Sequence, residues 1–367
     1  MFTRTDDKIT TAQGVIILAD SILGAGILTL PRDATEQVQT PDAWLSVLLV
    51  SLIMLLVVWI MVTLCQQYPG STVFDFSRKI VGAVAGKLLS LVLIIYFLLI
   101  ACFELRVLAE VALFYLLEST PMWAIVIPFI WTAAYLISGG INCIARLFQI
   151  IFPASLLILL LSLFLSLRLF DIDHLRPILG EGLPPVIKGL KATLLSFAGF
   201  EIVFILVGFL QNPGKAVNMA LAGMSIPITL YLGAMVFVVG GLSTSAVLRS
   251  TWPMLDLLRS FEFIGVFFER FEFPFLVIWM MQMFCNFTSN FYAATLGISR
   301  TISTKLPVIL FSLMPIIFIC AMLPKSIDDL FIVGEAVGIC SIAVFVIVTV
   351  PLSLIYIIRK KGLKQHA

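Results

Sequence analysis

The sequence predicts an all-α polytopic membrane protein: about ten transmembrane helices in a five-plus-five inverted repeat whose first and sixth helices are broken. Three observations carry this. Of 367 residues, 61% are hydrophobic and only 12% charged, whereas soluble domains run about 45–50% and about 25%. Apolar stretches long enough to cross a bilayer recur ten times. Two of these stretches carry small-residue interruptions at mid-depth and stand five spans apart, the pattern of an alternating-access core with a pseudo-two-fold axis in the membrane plane.

The spans run over 11–31, 43–65, 87–117, 122–139, 146–169, 187–210, 216–241, 273–299, 306–323 and 333–358. The two repeats divide the chain at 1–170 and 171–367. An even number of spans puts both termini on one side, and basic residues decide which side. Connections on the terminal side hold 13 of them: Arg4, Lys8, Arg78, Lys79, Lys87, Arg146, Lys215, Arg300, Lys305, Arg359, Lys360, Lys361 and Lys364. The other side holds nine, among thirteen acids. Both termini are therefore expected in the cytoplasm. Met1 to Thr11 is short and polar with both signs of charge, so the first apolar run reads as a retained span and not a signal peptide. The long connections 170–186 and 242–272 then lie outside. In the second, Trp252-Pro253 precedes Met254, Leu255, Leu257, Leu258 and Phe261 at helical spacing, which predicts a short amphipathic helix over the outer face. A membrane-skimming loop fits the same pattern.

Several function classes lack their parts. A net charge of +2 leaves no basic excess for gripping nucleic acid. The six cysteines show no disulfide framework and no CxxC spacing. The histidines are His174 and His366, which leaves neither a helical zinc motif nor a Ser-His-Asp triad. No metal or cofactor is expected, and no nucleophile–base constellation suggests an enzyme.

The chemistry expected follows from the breaks. Ser21-Ile22-Leu23-Gly24-Ala25-Gly26 interrupts the first span, and Ser196-Phe197-Ala198-Gly199-Phe200-Glu201 the sixth. Where a helix unwinds in hydrocarbon, its freed N–H and C=O groups need other partners. Amides at Gly24, Ala25 and Gly26 would offer the positive end of a half-helix to a carboxylate. Carbonyls at Phe197, Ala198 and Gly199 would accept from an ammonium. A small amino acid satisfies both. Close helix packing through small residues is the competing explanation for these glycines.

Five acids fall inside spans: Asp20, Glu104, Glu110, Glu201 and Glu335. Each needs a partner, a cavity or a proton. Arg106 and Glu110, four apart, are expected to pair along one face. Glu104, on another face near mid-span, is a candidate proton carrier or a carboxyl bonded to a neighbouring helix. Asp20 and Glu201 flank the breaks, where they would neutralise a ligand ammonium or cap freed amides. Gln282, Asn286, Ser289 and Asn290 align on one side of the eighth span. Asn286 and Ser289 are taken as site residues. Thr288 and Ser289 could hold a cation through their hydroxyls, but interhelical hydrogen bonding is the preferred reading of the stripe.

Leu23-Gly24-Ala25-Gly26-Ile27-Leu28-Thr29-Leu30-Pro31 resembles the first-span signature of permeases of the amino acid-polyamine-organocation superfamily. Asp42-Ala43-Trp44-Leu45-Ser46, Tyr68-Pro69-Gly70-Ser71-Thr72, Ile144-Ala145-Arg146 and Arg176-Pro177-Ile178-Leu179, in this order and spacing, resemble the B-subunits of spore germinant receptors over nearly the full length. The resemblance implies a LeuT-like fold that senses a small nutrient, usually an amino acid, in the inner membrane of a dormant spore. It also implies A- and C-subunits as partners in the lipid bilayer. Carried over, the ligand-binding breaks fall on Gly24, Ala25 and Gly26 and on Phe197, Ala198 and Gly199. A proton-coupled amino-acid transporter is the alternative, because the same fold serves sensing and transport.

Overall fold

Alternating bilayer-length apolar runs and short polar turns leave the chain no option but helices, since lipid offers the backbone no hydrogen bonds. The computed structural model describes residues 7–260 and 272–365. Met1, Arg4, Phe261 and His366, named above, lie outside these residues, as do the side chains of Arg359, Lys360, Lys361 and Lys364.

The first span is two helices, α1 (Thr11–Ile22) and α2 (Gly26–Val38), bent by 48°. α3 (Ala43–Cys65), the short α4 (Val73–Val81), α5 (Ala83–Tyr115), α6 (Met122–Ser138) and α7 (Ile141–Ser166) follow. The sixth span is also divided, into α8 (Pro184–Ser196), a 3₁₀ turn at Phe200–Ile202 and α9 (Val203–Phe209), with a 50° bend. Then come α10 (Ala216–Leu242), the short α11 (Thr244–Arg249) and α12 (Pro253–Arg259), and α13 (Glu272–Ile302). The chain ends in α14 (Leu306–Met322) and in α15 (Ile327–Val344), which passes through a π turn at Phe345–Thr349 into α16 (Val350–Gln365).

Five of these spans are long and apolar enough to cross a membrane by themselves, and the two bent pairs bring the number to seven. α6 and α14, apolar and 17 residues each, reach the short end of a crossing. The 31-residue α13 completes ten, its hydropathy lowered by the inward polar stripe. α13 packs most extensively on α5, and these two form the centre against which both broken spans lie. Outward, α3 shows Leu48, Leu52, Leu56 and Trp59, and α6 shows Trp123, Trp131 and Tyr135, as helices bathed in lipid do.

Three local features depart from the sequence expectation. α2 continues past Pro31 to Val38 because Ala34, Thr35 and Val38 are buried while Glu36 and Gln37 reach solvent. The helix tolerates Pro31, whose carbonyl also accepts from the Thr35 hydroxyl at 2.6 Å. α4 was not anticipated, although Thr72 and Asp75 form a reciprocal capping box at its start, with the Thr72 amide 3.1 Å from Asp75 Oδ2. The tenth span contains a π turn, for which apolar periodicity offers no signal. α12 is a helix at the expected place, and Met254, Leu255, Leu257 and Leu258 are buried against protein.

Candidate ligand site at the two broken helices

α1 ends where Leu23 donates to Ala19 O at 3.1 Å and the chain turns back, Gly24 N bonding Ile22 O at 2.8 Å. The carbonyls of Asp20, Ser21, Ile22 and Leu23 lose their helical donors at this turn, and side chains from distant helices replace three of the four. Asn286 Nδ2 donates to Ser21 O at 3.1 Å, the Tyr231 hydroxyl to Ile22 O at 2.6 Å, and Gln282 Nε2 to Leu23 O at 2.7 Å. Two members of the polar stripe of α13, Gln282 and Asn286, are thus donors for the end of α1. On the other side of the turn, the Ala25 amide donates to Glu104 Oε2 at 3.2 Å. The amides of Gly26 and Ile27, at the start of α2, have no acceptor among the described residues.

The second break closes differently. Phe197 and Ala198 make 3₁₀-like bonds of 3.2 Å each to Leu194 O and Leu195 O, and Gly199 then enters the left-handed region at φ +110°. Its amide donates to Glu201 Oε2 at 3.0 Å and to the Tyr96 hydroxyl oxygen at 3.2 Å. Tyr96 donates to the same carboxylate oxygen at 2.7 Å, and Ser341 donates to the other. Glu201, fully buried, therefore receives three donors and caps the break. The carbonyls of Ser196, Phe197 and Ala198 receive none among the described residues.

Both breaks meet backbone to backbone. A β-carbon at Gly199 would run into the Ser21 carbonyl, and one at Gly26 would lie 2.7 Å from the Tyr231 hydroxyl and 2.8 Å from Ser196 O. A cavity of about 410 Å³ begins here, with Ala25, Gly26, Glu104, Ser196 and Ala198 at its inner end and apolar walls from Ile100, Phe103 and Leu195. It widens to a mouth between α2, α8 and α15, crossed by Lys191–Glu335 at 2.7 Å and by Arg32 stacked 5.1 Å from the Phe331 ring centre. At the opposite end of the molecule the chain seals itself. Ile9 pairs with the end of α9 through Ile9 N to Phe209 O at 2.8 Å and Gln211 N to Ile9 O at 2.9 Å.

Of the residues singled out in the sequence, Ala25, Gly26, Ala198 and Glu104 line the cavity. Gly24, Phe197 and Gly199 form the turns behind it, and Glu201 and Asn286 hold those turns. Asp20 is fully buried in α1, outside the lining, with neither carboxylate oxygen hydrogen-bonded among the described residues. Thr288 and Ser289 bond back to Phe284 O at 2.7 Å and Cys285 O at 3.1 Å on their own helix. Arg106 and Glu110 pair at 3.0 Å, whereas Glu335 belongs to the exposed mouth. Tyr96, Tyr231 and Ser341 were missed. Their only sequence signal is a hydroxyl inside an apolar run, which lipid-facing helices also show.

The model of a family described as "Spore germination protein" matches residues 8–330. The chain belongs to the spore germination protein family. It is 46% identical over 366 residues to Spore germination protein YndE of Bacillus subtilis (strain 168), covering 99% of this chain and 100% of that relative. Against Spore germination protein A2 of the same organism it is 33% identical over 360 residues, 98% of this chain and 97% of the other. Among solved structures, MhsT in complex with L-phenylalanine superposes with a TM-score of 0.69 at 15% identity, over 91% of this chain and 87% of that one. The likeness establishes the LeuT-like ten-helix membrane fold expected from the family resemblance.

Proposed function

We propose that this family member is the membrane subunit of a nutrient germinant receptor and that a small amino acid binds in the cavity between its two broken helices. One observation carries the reading: Gly26, with its open amide, and Ser196 and Ala198, with their open carbonyls, line the inner end of a cavity deep among apolar helices, and the open Ile27 amide and Phe197 carbonyl are next to them in the chain. A carboxylate fits the positive start of α2, and an ammonium fits the negative end of α8. Gly24, Ala25, Phe197, Gly199, Glu201 and Asn286 serve the ligand by fixing these backbone groups, and Asp20 and Ser289 stand behind them in α1 and α13. That MhsT holds L-phenylalanine on the same fold supports an amino-acid ligand.

Germinant-receptor A- and C-type subunits are the proposed partners, in the spore inner membrane with both termini cytoplasmic. The two five-helix repeats meet near residue 170. A second reading, proton-coupled transport, draws on the cavity's open mouth and sealed opposite end, since this asymmetry is one half of an alternating-access cycle. Proteoliposomes holding the purified chain separate the two: saturable amino-acid binding without concentrative uptake is expected, and uptake would favour the transporter. Gly26→Leu is expected to abolish binding while the protein still inserts, because its side chain would run into the Tyr231 hydroxyl and the Ser196 carbonyl where the two breaks meet. Full binding by that variant would remove the site.

A further inference from the structure

The amino-acid reading places an ammonium at the inner end of the cavity, and the structure narrows which acceptors remain for it. The Ser21, Ile22 and Leu23 carbonyls at the end of α1 are occupied by Asn286, Tyr231 and Gln282. Glu104 is different. It is 95% buried, 5% of it reaching the cavity, and one oxygen accepts from the Ala25 amide. The other oxygen lies over Gly24, whose missing side chain makes room for it. No basic side chain pairs with this carboxyl among the described residues. Arg106, two residues on, is committed to Glu110, while Arg32 and Lys191 sit at the mouth against Phe331 and Glu335. A carboxyl that reaches a cavity with one amide donor and no counter-charge takes up a proton or a cation, and a ligand ammonium supplies the cation.

Resting on the amino-acid reading above, we propose that Glu104 receives the ligand's ammonium, together with the open carbonyls of α8, and thereby makes a protonated amine the required feature of the ligand. The ligand's own carboxylate goes to the Gly26 and Ile27 amides, which Glu104 leaves free by taking only Ala25. An anion of the same shape without the amine is repelled by Glu104. A neutral residue at 104 removes both the attraction and the repulsion.

The test uses the full-length protein in lipid nanodiscs, titrated by calorimetry with each of the twenty protein L-amino acids. The tightest binder is then compared with its decarboxylated amine and its deaminated acid on wild type, Glu104→Gln and Glu104→Asp. Wild type is expected to bind the amino acid, to retain the amine more weakly and to refuse the deaminated acid. Glu104→Gln keeps the shape and the Ala25 bond, and is expected to lose about tenfold or more for amino acid and amine. It should also gain binding of the deaminated acid, which a merely structural carboxyl would not produce. Glu104→Asp keeps the charge and should fall between. Amino-acid affinity in Glu104→Gln equal to or above wild type overturns the proposal and leaves the site standing. If Glu104→Gln fails to fold, wild-type binding of the deaminated acid as tight as the amino acid overturns it. Failure of every amino acid and amine to bind wild type overturns the site itself, and binding of amines alone keeps Glu104 while removing the amino-acid reading.

Discussion

At φ +110° with the Ser21 carbonyl pressed against its α-carbon, position 199 admits only glycine. A methyl group there meets two penalties, the left-handed backbone and the collision with the other break. Gly199→Ala is expected to destabilise the protein by at least about 2 kcal/mol. Gly70 supplies the contrast, since its φ of +72° carries the backbone penalty with nothing near a would-be β-carbon. Gly70→Ala should lose only about 1–2 kcal/mol, so denaturant titration in detergent that finds the two equal would contradict the close approach of the breaks. Glu201 is equally exposed to a test. Glutamine offers one acceptor oxygen where Tyr96, Gly199 and Ser341 need two, and Glu201→Gln should lower stability by about 2–3 kcal/mol in the same assay. An unchanged midpoint would mean that the capping cluster holds nothing.

Among whole elements, α13 contributes most to the site without lining the cavity. Its stripe looks uniform in sequence, yet Gln282 and Asn286 reach across to α1 while Thr288 and Ser289 bond their own helix. The two kinds of position should respond differently. Gln282→Leu strands the Leu23 carbonyl in an apolar interior and should destabilise by about 1–3 kcal/mol. Ser289→Ala removes only a back-bond and should change stability by less than about 0.5 kcal/mol, with ligand affinity intact. Calorimetric titration of Ser289→Ala is the more telling measurement, because a large loss of affinity there would restore the hydroxyl as a cation ligand. The sequence showed the stripe through its spacing alone. Which members cross to another helix depends on how far the side chain reaches and on what lies opposite, and spacing carries neither.

For the whole molecule, the prediction concerns sidedness. The cavity mouth lies at one end of the bundle and the Ile9–Leu210 pairing at the other. In the proposed orientation, which rests on the excess of basic residues in the connections near the latter end, that end faces the cytoplasm. With the exposed native Cys143 replaced by serine, Glu181→Cys should react with an impermeant thiol reagent added from outside. Lys87→Cys, at the start of α5 and also exposed, should react only after the membrane is opened. Reversed labelling of the two would invert the orientation and put the mouth on the cytoplasmic face.

Composition and periodicity alone determined that the chain spans a membrane about ten times, and they placed α3, α10 and α14 within a residue or two. They also located both breaks, because glycine-rich turns weaken a helix wherever it packs. Local spacing reached that far and no further. The backbone groups expected to meet a ligand are the amides of 24–26 and the carbonyls of 197–199, whereas those without a partner among the described residues include the amides of Gly26 and Ile27 and the carbonyls of Ser196, Phe197 and Ala198. Gly24 is consumed by its own turn, Ala25 by Glu104 and the Gly199 carbonyl by the Ile202 amide. The donors that hold α1 open come from 209 and 259 residues away in the chain, at Tyr231 and Gln282. Sequence pattern records which face of a helix is polar. Only the packing of ten helices decides which groups on different helices come within 3 Å of each other, and therefore which are left for a ligand.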